Sequence, residues 1–281
     1  MRLRLAAVCL SGLLSACSLP PGDTINSDRL DTVLDSAIGG AGTCLDLRNV
    51  RGGGVVYEYG DKGVCSVRLP PCSTFDVPAA LTALDAGVIT PQTVYKWDGS
   101  PQPVTAWQTD AAVGKAFGDG ILWWWEDLSR NLGHDRMVQA LERFGYGDQN
   151  ANGPAGRFWL GPRNGGVLAL STREQAGFLQ RFYNGGLGVK VDASQVVQTL
   201  MIDEVREDSK QGKAVFSAVD GDCPINVDGS RTVVWVAGRL QTPQRDLVYA
   251  ATLTGEAPPP AIELRQKLKD AFAEAGLWPN G

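Results

Sequence analysis

The order in which strand and helix patterns follow one another constrains the fold of this chain more than any other feature. Two short strand patterns, over residues 43–47 and 54–59, flank the turn sequence Arg51-Gly52-Gly53-Gly54. Helical periodicity then covers much of the middle, over residues 73–87, 111–132, 134–144, 172–183 and 191–205. Strand patterns return over 215–219, 232–240 and 246–252, before an amphipathic helix over 260–275. We therefore predict an α+β fold, an antiparallel sheet flanked by helices with an all-helical insertion between its halves.

Composition excludes several classes of function. Hydrophobic residues make up 43% of the chain and charged ones 20%, which supports a packed core. The net charge of −5 and the absence of basic runs argue against a nucleic-acid partner. The single histidine, His134, excludes multi-histidine metal sites and leaves little room for Ser-His-Asp chemistry. We expect His134 to be exposed or to cap a helix, and we expect neither a metal nor another cofactor.

The first residues have the pattern of an export signal. Arg2 and Arg4 precede an apolar stretch over residues 5–14 that is too short to span a bilayer. The stretch ends in Leu14-Ser15-Ala16-Cys17, which resembles the lipobox of bacterial lipoproteins, in which the cysteine is lipidated. An ordinary secretory signal is the alternative. We expect a signal peptide over 1–16, a lipid-anchored tether over 17–38 and one domain over 39–278, facing the periplasm from the outer membrane.

Six cysteines support the same compartment. Cys9 leaves with the signal and Cys17 carries the lipid, so an even number remains for the mature domain: Cys44, Cys65, Cys72 and Cys223. Even numbers of cysteines in an oxidising compartment indicate disulfides, and these four allow three pairings. Four free buried thiols are the alternative.

Several segments, in the same order, resemble the class D serine β-lactamases of the penicillin-recognising superfamily. The family's pattern Pro-x-Ser-Thr-Phe-Lys-hydrophobic-Pro is similar to Pro71-Cys72-Ser73-Thr74-Phe75-Asp76-Val77-Pro78. Further similar segments are Trp97-Asp98-Gly99, Gly133-His134-Asp135-Arg136-Met137, Tyr146-Gly147-Asp148, Phe158-Trp159-Leu160 and Trp235-Val236-Ala237-Gly238. The resemblance covers residues 40–275 and implies a serine β-lactamase/penicillin-binding transpeptidase-like fold.

The residues that carry catalysis in that family are altered here. The family's serine is present as Ser73, but Asp76 stands where a carboxylated lysine takes the serine's proton. Gly120 falls where the serine of Ser-x-Val is expected, and the Tyr-Gly-Asn motif is replaced by Tyr146-Gly147-Asp148. Lys-Thr-Gly is replaced by Val219-Asp220-Gly221. Trp159 matches the tryptophan that bonds the missing lysine.

These replacements predict a large loss of catalysis. A serine hydroxyl is a weak nucleophile without a nearby base, and loss of a general base typically costs about 10²–10⁴-fold in rate. At a helix start we expect the macrodipole to lower the pKa of Asp76. Asp76, Asp148 and Asp220 should then surround a site that has lost the family's cation for the substrate carboxylate, and as unpaired charges they should repel an anionic substrate. The alternative role for Ser73 and Asp76 is a capping box at the start of a helix. A cation site formed by Asp119, Asp148 and Asp220 is a further alternative, but these residues lack the spacing of a calcium loop.

Two further expectations concern the cleft. In the family's geometry the segments that precede Ser73 and follow Gly221 face each other, which implies a Cys72–Cys223 disulfide and leaves Cys44–Cys65 to join the N-terminal hairpin. The run Trp123-Trp124-Trp125 cannot lie on one helix face, so we expect one or two of these rings in the core and another at the cleft or a partner surface.

The resemblance and its losses together predict a catalytically inactive lipoprotein, held on the membrane by acylated Cys17. It would bind a periplasmic protein or a peptidoglycan-related ligand. A weakly active serine β-lactamase or penicillin-binding protein that uses Ser73 is the alternative, and an architectural lipoprotein with an idle cleft is a third possibility. The ligand and the oligomeric state stay open.

Overall fold

The computed structural model describes residues 25–208 and 212–279. The predicted signal peptide and Cys17 lie outside the described residues. The predicted tether over 17–38 is wrong in its second half, because Ser27–Ile38 forms helix α1. The helix is part of the domain because Leu30, Leu34 and Ile38, spaced three or four residues apart, bury one face of it.

The strands form a six-stranded antiparallel sheet in the order β2-β1-β8-β7-β6-β5. The strands are β1 (Thr43–Asn49), β2 (Val55–Gly60), the short pair β3 (Val94–Tyr95) and β4 (Ala111–Ala112) outside this sheet, β5 (Ile202–Asp208), β6 (Gly212–Pro224), β7 (Thr232–Gln241) and β8 (Asp246–Gly255). Pairing of β1 with β8 joins the two halves predicted from the sequence. The predicted α+β fold is confirmed.

Helices cover both faces of the sheet. After α1 they are α2 (Lys62–Cys65), α3 (Asp76–Asp85), α4 (Val113–Gly118), α5 (Leu122–Leu132), α6 (His134–Phe144), α7 (Thr172–Tyr183), α8 (Val191–Leu200) and α9 (Ala261–Glu274), with 3₁₀ turns at Cys72–Phe75, Thr105–Trp107 and Pro162–Asn164. The predicted helix over 111–132 breaks at Gly120, whose φ is +61°. The predicted helix over 191–205 is wrong beyond Leu200, because the chain there pairs with β6 as an edge strand.

Two cores lie on opposite faces of the sheet. On β7, Val234 and Val236 pack in one core with α1 and α9, while Val233, Trp235 and Ala237 pack in the other with the helical insertion. Side chains alternate between the faces of a strand, so a strand covered on both faces is apolar throughout. This explains why the β7 sequence reads as a continuous hydrophobic run.

Both expected disulfides are confirmed. Cys44–Cys65 joins β1 to α2, and Cys72–Cys223 joins the first 3₁₀ turn to β6. The second bridge connects residues 151 positions apart in sequence.

The expectation of one or two core rings among residues 123–125 is confirmed for Trp124 and Trp125, which are buried on α5. Trp123 is 9% exposed and lines a cavity of about 400 Å³ together with Trp107. The indole Nε1 atoms of Trp123 and Trp124 donate to the carbonyl oxygens of Trp107 and Ala111, at 2.7 and 2.8 Å. The three rings can all be buried because the chain around α5 covers the helix on several sides.

Candidate functional site

A cleft of about 650 Å³ collects six of the predicted site residues. It lies between the first 3₁₀ turn, the α4–α5 turn, the start of β5, the middle of β6 and the start of α9. The predicted residues that line it are Ser73, Asp76, Gly120, Val219, Asp220 and Gly221. The fold therefore brings the altered motifs together, although their residues are up to 148 positions apart in the sequence (221 − 73).

Strand β6 approaches Ser73 unusually closely. A β-carbon at position 221 would lie 2.7 Å from both the Cβ and the backbone nitrogen of Ser73. Only glycine permits that approach without displacing the turn. The Cys72–Cys223 bridge joins the same two segments, so the serine is held firmly against the strand.

Asp76 differs from its predicted state. Its side chain is 5% exposed, and burial raises the pKa of its carboxyl well above the usual range. The predicted lowering of this pKa is wrong, because desolvation of a buried charge outweighs the helix macrodipole. The capping box is also wrong: neither Ser73 nor Asp76 makes a side-chain capping bond at the start of the 3₁₀ turn or of α3.

The cleft also contains a cation that the sequence did not reveal. Arg265, on α9, lies 3.2 Å from Asp220 and 3.3 Å from Asp203, measured between side-chain nitrogen and oxygen. The expectation that Asp220 is an unpaired acid is therefore wrong, although β6 itself carries no cation in place of the family's lysine. Spacing along α9 could have suggested a basic face, since Arg265 and Lys269 are four residues apart, but it could not show which strand that face meets.

The Asp220 carboxyl is only partly neutralised by Arg265. Burial raises its pKa, with the nearby Asp203 and Asp222 acting in the same direction against Arg265. The Oδ2 atom of Asp220 lies at ion-pair distance from Arg265 but has no well-oriented hydrogen bond within the described part of the chain.

Three predicted site residues lie outside the cleft lining. Asp148 accepts hydrogen bonds from the backbone nitrogens of Ala169 and Asn150, at 3.1 and 3.2 Å, so it shapes a turn and does not surround the site. Tyr146 and Trp159 are buried against the ring of Phe75, and burial raises the pKa of the Tyr146 hydroxyl. These two rings support the segment that carries Ser73 and Asp76.

His134 lies outside the lining of this cleft. His134 begins α6 with its side chain 55% exposed, as predicted. Over residues 25–208 and 212–279, the His, Cys, Asp and Glu side chains form no group of three or more that could hold a metal ion.

Comparison with known proteins defines the family. Residues 49–221, more than half of the chain, match the penicillin binding protein transpeptidase domain. The chain belongs to this family. Within it, the similarities point to the class D serine β-lactamase-like members, which confirms the resemblance that the motifs indicated.

Curated relatives include both enzymes and a regulator. The chain is 26% identical to regulatory protein BlaR1 of Bacillus licheniformis over 92% of this chain and 41% of that protein. It is 32% identical to β-lactamase OXA-48 of Klebsiella pneumoniae over 49% of this chain and 51% of that protein. With OXA-10 of Pseudomonas aeruginosa it shares 32% identity over 61% of each chain. The chain thus spans about 41 to 61% of the length of these relatives.

Solved structures show the same fold. A class D β-lactamase from Bacillus subtilis superposes with a TM-score of 0.75 at 21% identity, over 88% of this chain and 97% of that one. The C-terminal domain of the Bacillus licheniformis BlaR penicillin-receptor gives a TM-score of 0.75 at 24% identity, over 89% of this chain and 96% of that one.

Proposed function

We propose that this protein is a periplasm-facing lipoprotein that binds an envelope ligand or partner in the Ser73 cleft and does not hydrolyse β-lactams. The observation that carries the proposal is Asp76, a buried carboxyl in the place where the family's catalytic lysine is expected. Its raised pKa keeps the carboxyl protonated over a wider pH range, and a protonated carboxyl cannot accept the serine's proton.

Other partners of the serine are altered as well. Gly120 lines the cleft but offers no hydroxyl group, and within the described residues no side chain makes a hydrogen bond to the Ser73 hydroxyl. Arg265 is paired with two carboxylates that already offset its charge, which weakens its attraction for an anionic substrate. Each change weakens activation or binding of a β-lactam.

Binding is therefore assigned to the cleft itself. The rings of residues 123–125 are at least nine-tenths buried, so they offer little surface to a partner. The cleft is about 650 Å³, the size of a small-molecule or peptide site.

A fluorescent penicillin tests the loss of catalysis. We expect the full-length protein to show no Ser73-dependent covalent labelling, and nitrocefin turnover no faster than in a Ser73→Ala variant. A covalent adduct that disappears in Ser73→Ala would refute the proposal. Labelling that strengthens as the pH rises would identify Asp76 as a weak base, since only its ionised form accepts a proton.

A second candidate is a receptor that is acylated without turnover. The 26% identity to BlaR1 over 92% of this chain, with Ser73 in the cleft, favours it over a hydrolase. Stable Ser73-dependent labelling without nitrocefin turnover would select this function.

A plug in the cleft separates a binding role from a purely architectural one. Gly120→Trp places a ring in open space within the cleft, and Gly87→Trp is a matched control on an exposed turn with a similar positive φ of +68° against +61°. We expect recovery of envelope partners in pull-downs to fall with the first variant and not with the second. Equal recovery would show that the cleft is idle.

A further inference from the structure

We propose that the ligand of this cleft is an organic cation, an ammonium group on an aliphatic or peptide stem. This inference rests on the proposed function and specifies the chemistry of its ligand. It stands on three observations: the balance of charges around the cleft, the commitments of Arg265, and the unpartnered carboxyl of Asp76.

The charged lining of the cleft is mostly acidic. Five carboxyl side chains and a single basic one line it: Asp76, Asp119, Asp203, Asp220, Asp222 and Arg265. Lys115 pairs with Asp119, and Lys269 pairs with Asp203 at 3.0 Å. Asp76 and Asp222 have no cation at ion-pair distance within the described residues. A positive ligand group would pair with these acids, with Asp76 once it has lost its proton, whereas a negative group would meet an excess of carboxyl groups.

Arg265 is already occupied. Its guanidinium lies 3.3 Å from Asp203 and 3.2 Å from Asp220. An incoming carboxylate would have to share the guanidinium with two acids that already offset its charge, or displace one of them and leave it without its partner. A cation leaves both pairs intact and gains attraction from the same acids.

Asp76 is the observation that points to a ligand. Its side chain is 95% buried, lines the cleft, and has no hydrogen bond or ion pair within the described residues. Buried polar groups nearly always have a hydrogen-bond partner. A ligand that enters the cleft could supply the partner that this carboxyl lacks. An ammonium group is a donor of suitable charge, and its approach favours ionisation of the carboxyl.

Ionisation of Asp76 would release a proton. The protonated carboxyl and the ammonium ion give a carboxylate–ammonium pair, and the carboxyl proton passes to the solvent. The titratable side chain that interacts with Asp76 from the α6–α7 segment is Tyr146, while Asp220 on β6 and Arg265 on α9 share the cleft. Binding should therefore be coupled to proton release.

The walls of the cleft favour an organic stem over a bare ion. Apolar side chains from several elements stand beside the acids, among them Trp107, Leu122, Leu160, Leu200 and Ile262. Burial of methylene groups against such walls adds to affinity.

Three capped tripeptides test the proposal. The probe is N-acetyl-Ala-Lys-Ala-amide, and its controls carry either Nε-acetyl-lysine or glutamate at the centre. We expect calorimetry and amide chemical shifts of the full-length protein to show binding of the lysine peptide at the cleft, weakened by salt. Titrations in buffers with different ionisation enthalpies should reveal the released proton.

Two variants test whether the lysine peptide binds at the unpaired acids Asp76 and Asp222. We expect Asp76→Asn to weaken the lysine peptide roughly tenfold and abolish proton release, as for a buried charge-assisted bond. Asp222→Asn should weaken it about two- to fivefold, since an exposed pair contributes less. Asp135→Asn on α6, where the side chain is 97% exposed and outside the cleft, is the control and should bind normally.

Two results would overturn the inference. One is absence of binding by the lysine peptide, and the other is equal or tighter binding of the glutamate peptide. Neither result depends on acylation of Ser73, which the fluorescent penicillin measures separately. A failure of the lysine peptide to bind can thus be distinguished from a failure of the proposed function, which would appear as covalent labelling of Ser73.

Discussion

Asp76 begins α3 inside the protein, and that position decides its chemistry. The motif around Ser73 located this residue correctly within the cleft, because an ordered series of motifs fixes which segments meet. Its depth could not be predicted, because depth depends on how Phe75, Tyr146 and Trp159 pack around it. The same limit applies to Arg265, whose ion pairs form between α9 and two strands distant in sequence.

Burial of Asp76 predicts a dependence of stability on pH. A carboxyl whose pKa is raised in the folded state favours folding fully below its unfolded pKa near 3.8, and this contribution is lost as the pH rises through the folded value. We expect Asp76→Asn to raise the free energy of unfolding at pH 8 by about 1–3 kcal/mol, because asparagine stays neutral, whereas the aspartate must either ionise while buried or hold a proton that the unfolded chain releases.

Urea unfolding from pH 4 to pH 9 checks this expectation. The difference between Asp76→Asn and the wild type should shrink toward pH 4. Asp46 and Asp220 also have raised pKa values but are common to both proteins, so the difference isolates Asp76. An Asp76→Asn protein no more stable than the wild type at pH 8 would contradict the prediction.

At the scale of elements, the sequence predicted most strands and helices but misjudged edges and boundaries. Thr172–Tyr183 was predicted to the residue, because Ser171 and Glu174 form a capping box. Beyond Leu200, by contrast, local periodicity favoured a helix, and pairing of β5 with β6 overrode it. The spacing of Leu30, Val33, Leu34 and Ile38 was a helical signal in the segment predicted as tether.

The core between the sheet and helices α1 and α9 depends on α1. We expect Leu34→Ala to lower the free energy of unfolding by about 2–5 kcal/mol, because a cavity would open where α1 packs on the sheet. Ser36→Ala, on the exposed side of the same helix, should change it by less than about 0.5 kcal/mol. Equal effects in chemical denaturation would mean that α1 is not docked on the sheet.

The two disulfides should contribute unequally. Cys72–Cys223 spans 151 residues and Cys44–Cys65 spans 21, so loop-closure entropy predicts losses of about 5 and about 3 kcal/mol when each pair is replaced by serines. Urea denaturation of the two double variants measures both values. A smaller loss for Cys72→Ser/Cys223→Ser would show that the loop-closure argument fails for this fold.

At the scale of the whole molecule, one sheet separates two cores and places the cleft at the boundary of the helical insertion. Helix α9 contributes to one core and to the cleft, since Leu264 and Leu268 pack in the core that α9 shares with α1, while Arg265 lines the cleft. Among the residues that the structure describes, no helix is long and apolar enough to cross a membrane.

Membrane attachment is proposed to depend on Cys17, because the sequence that ends at this cysteine resembles a lipobox. We expect the wild type to incorporate a palmitate label in bacterial cells and to sediment with membranes, and Cys17→Ser to lose both properties. The double variant Cys44→Ser/Cys65→Ser is the control for label attached to other cysteines, and it should keep the palmitate label. A wild-type protein without label that is still secreted would indicate an ordinary cleaved signal.

The contact between Gly221 and Ser73 has a consequence for mutational scanning. A library selected only for folded protein should return glycine alone at position 221, because any β-carbon there meets the serine backbone at 2.7 Å. Position 120, by contrast, opens onto empty space and is restricted only by its backbone angle. A strict glycine requirement at position 221 would thus result from the close packing of β6 against the Ser73 turn. It should persist even in a variant that cannot be acylated.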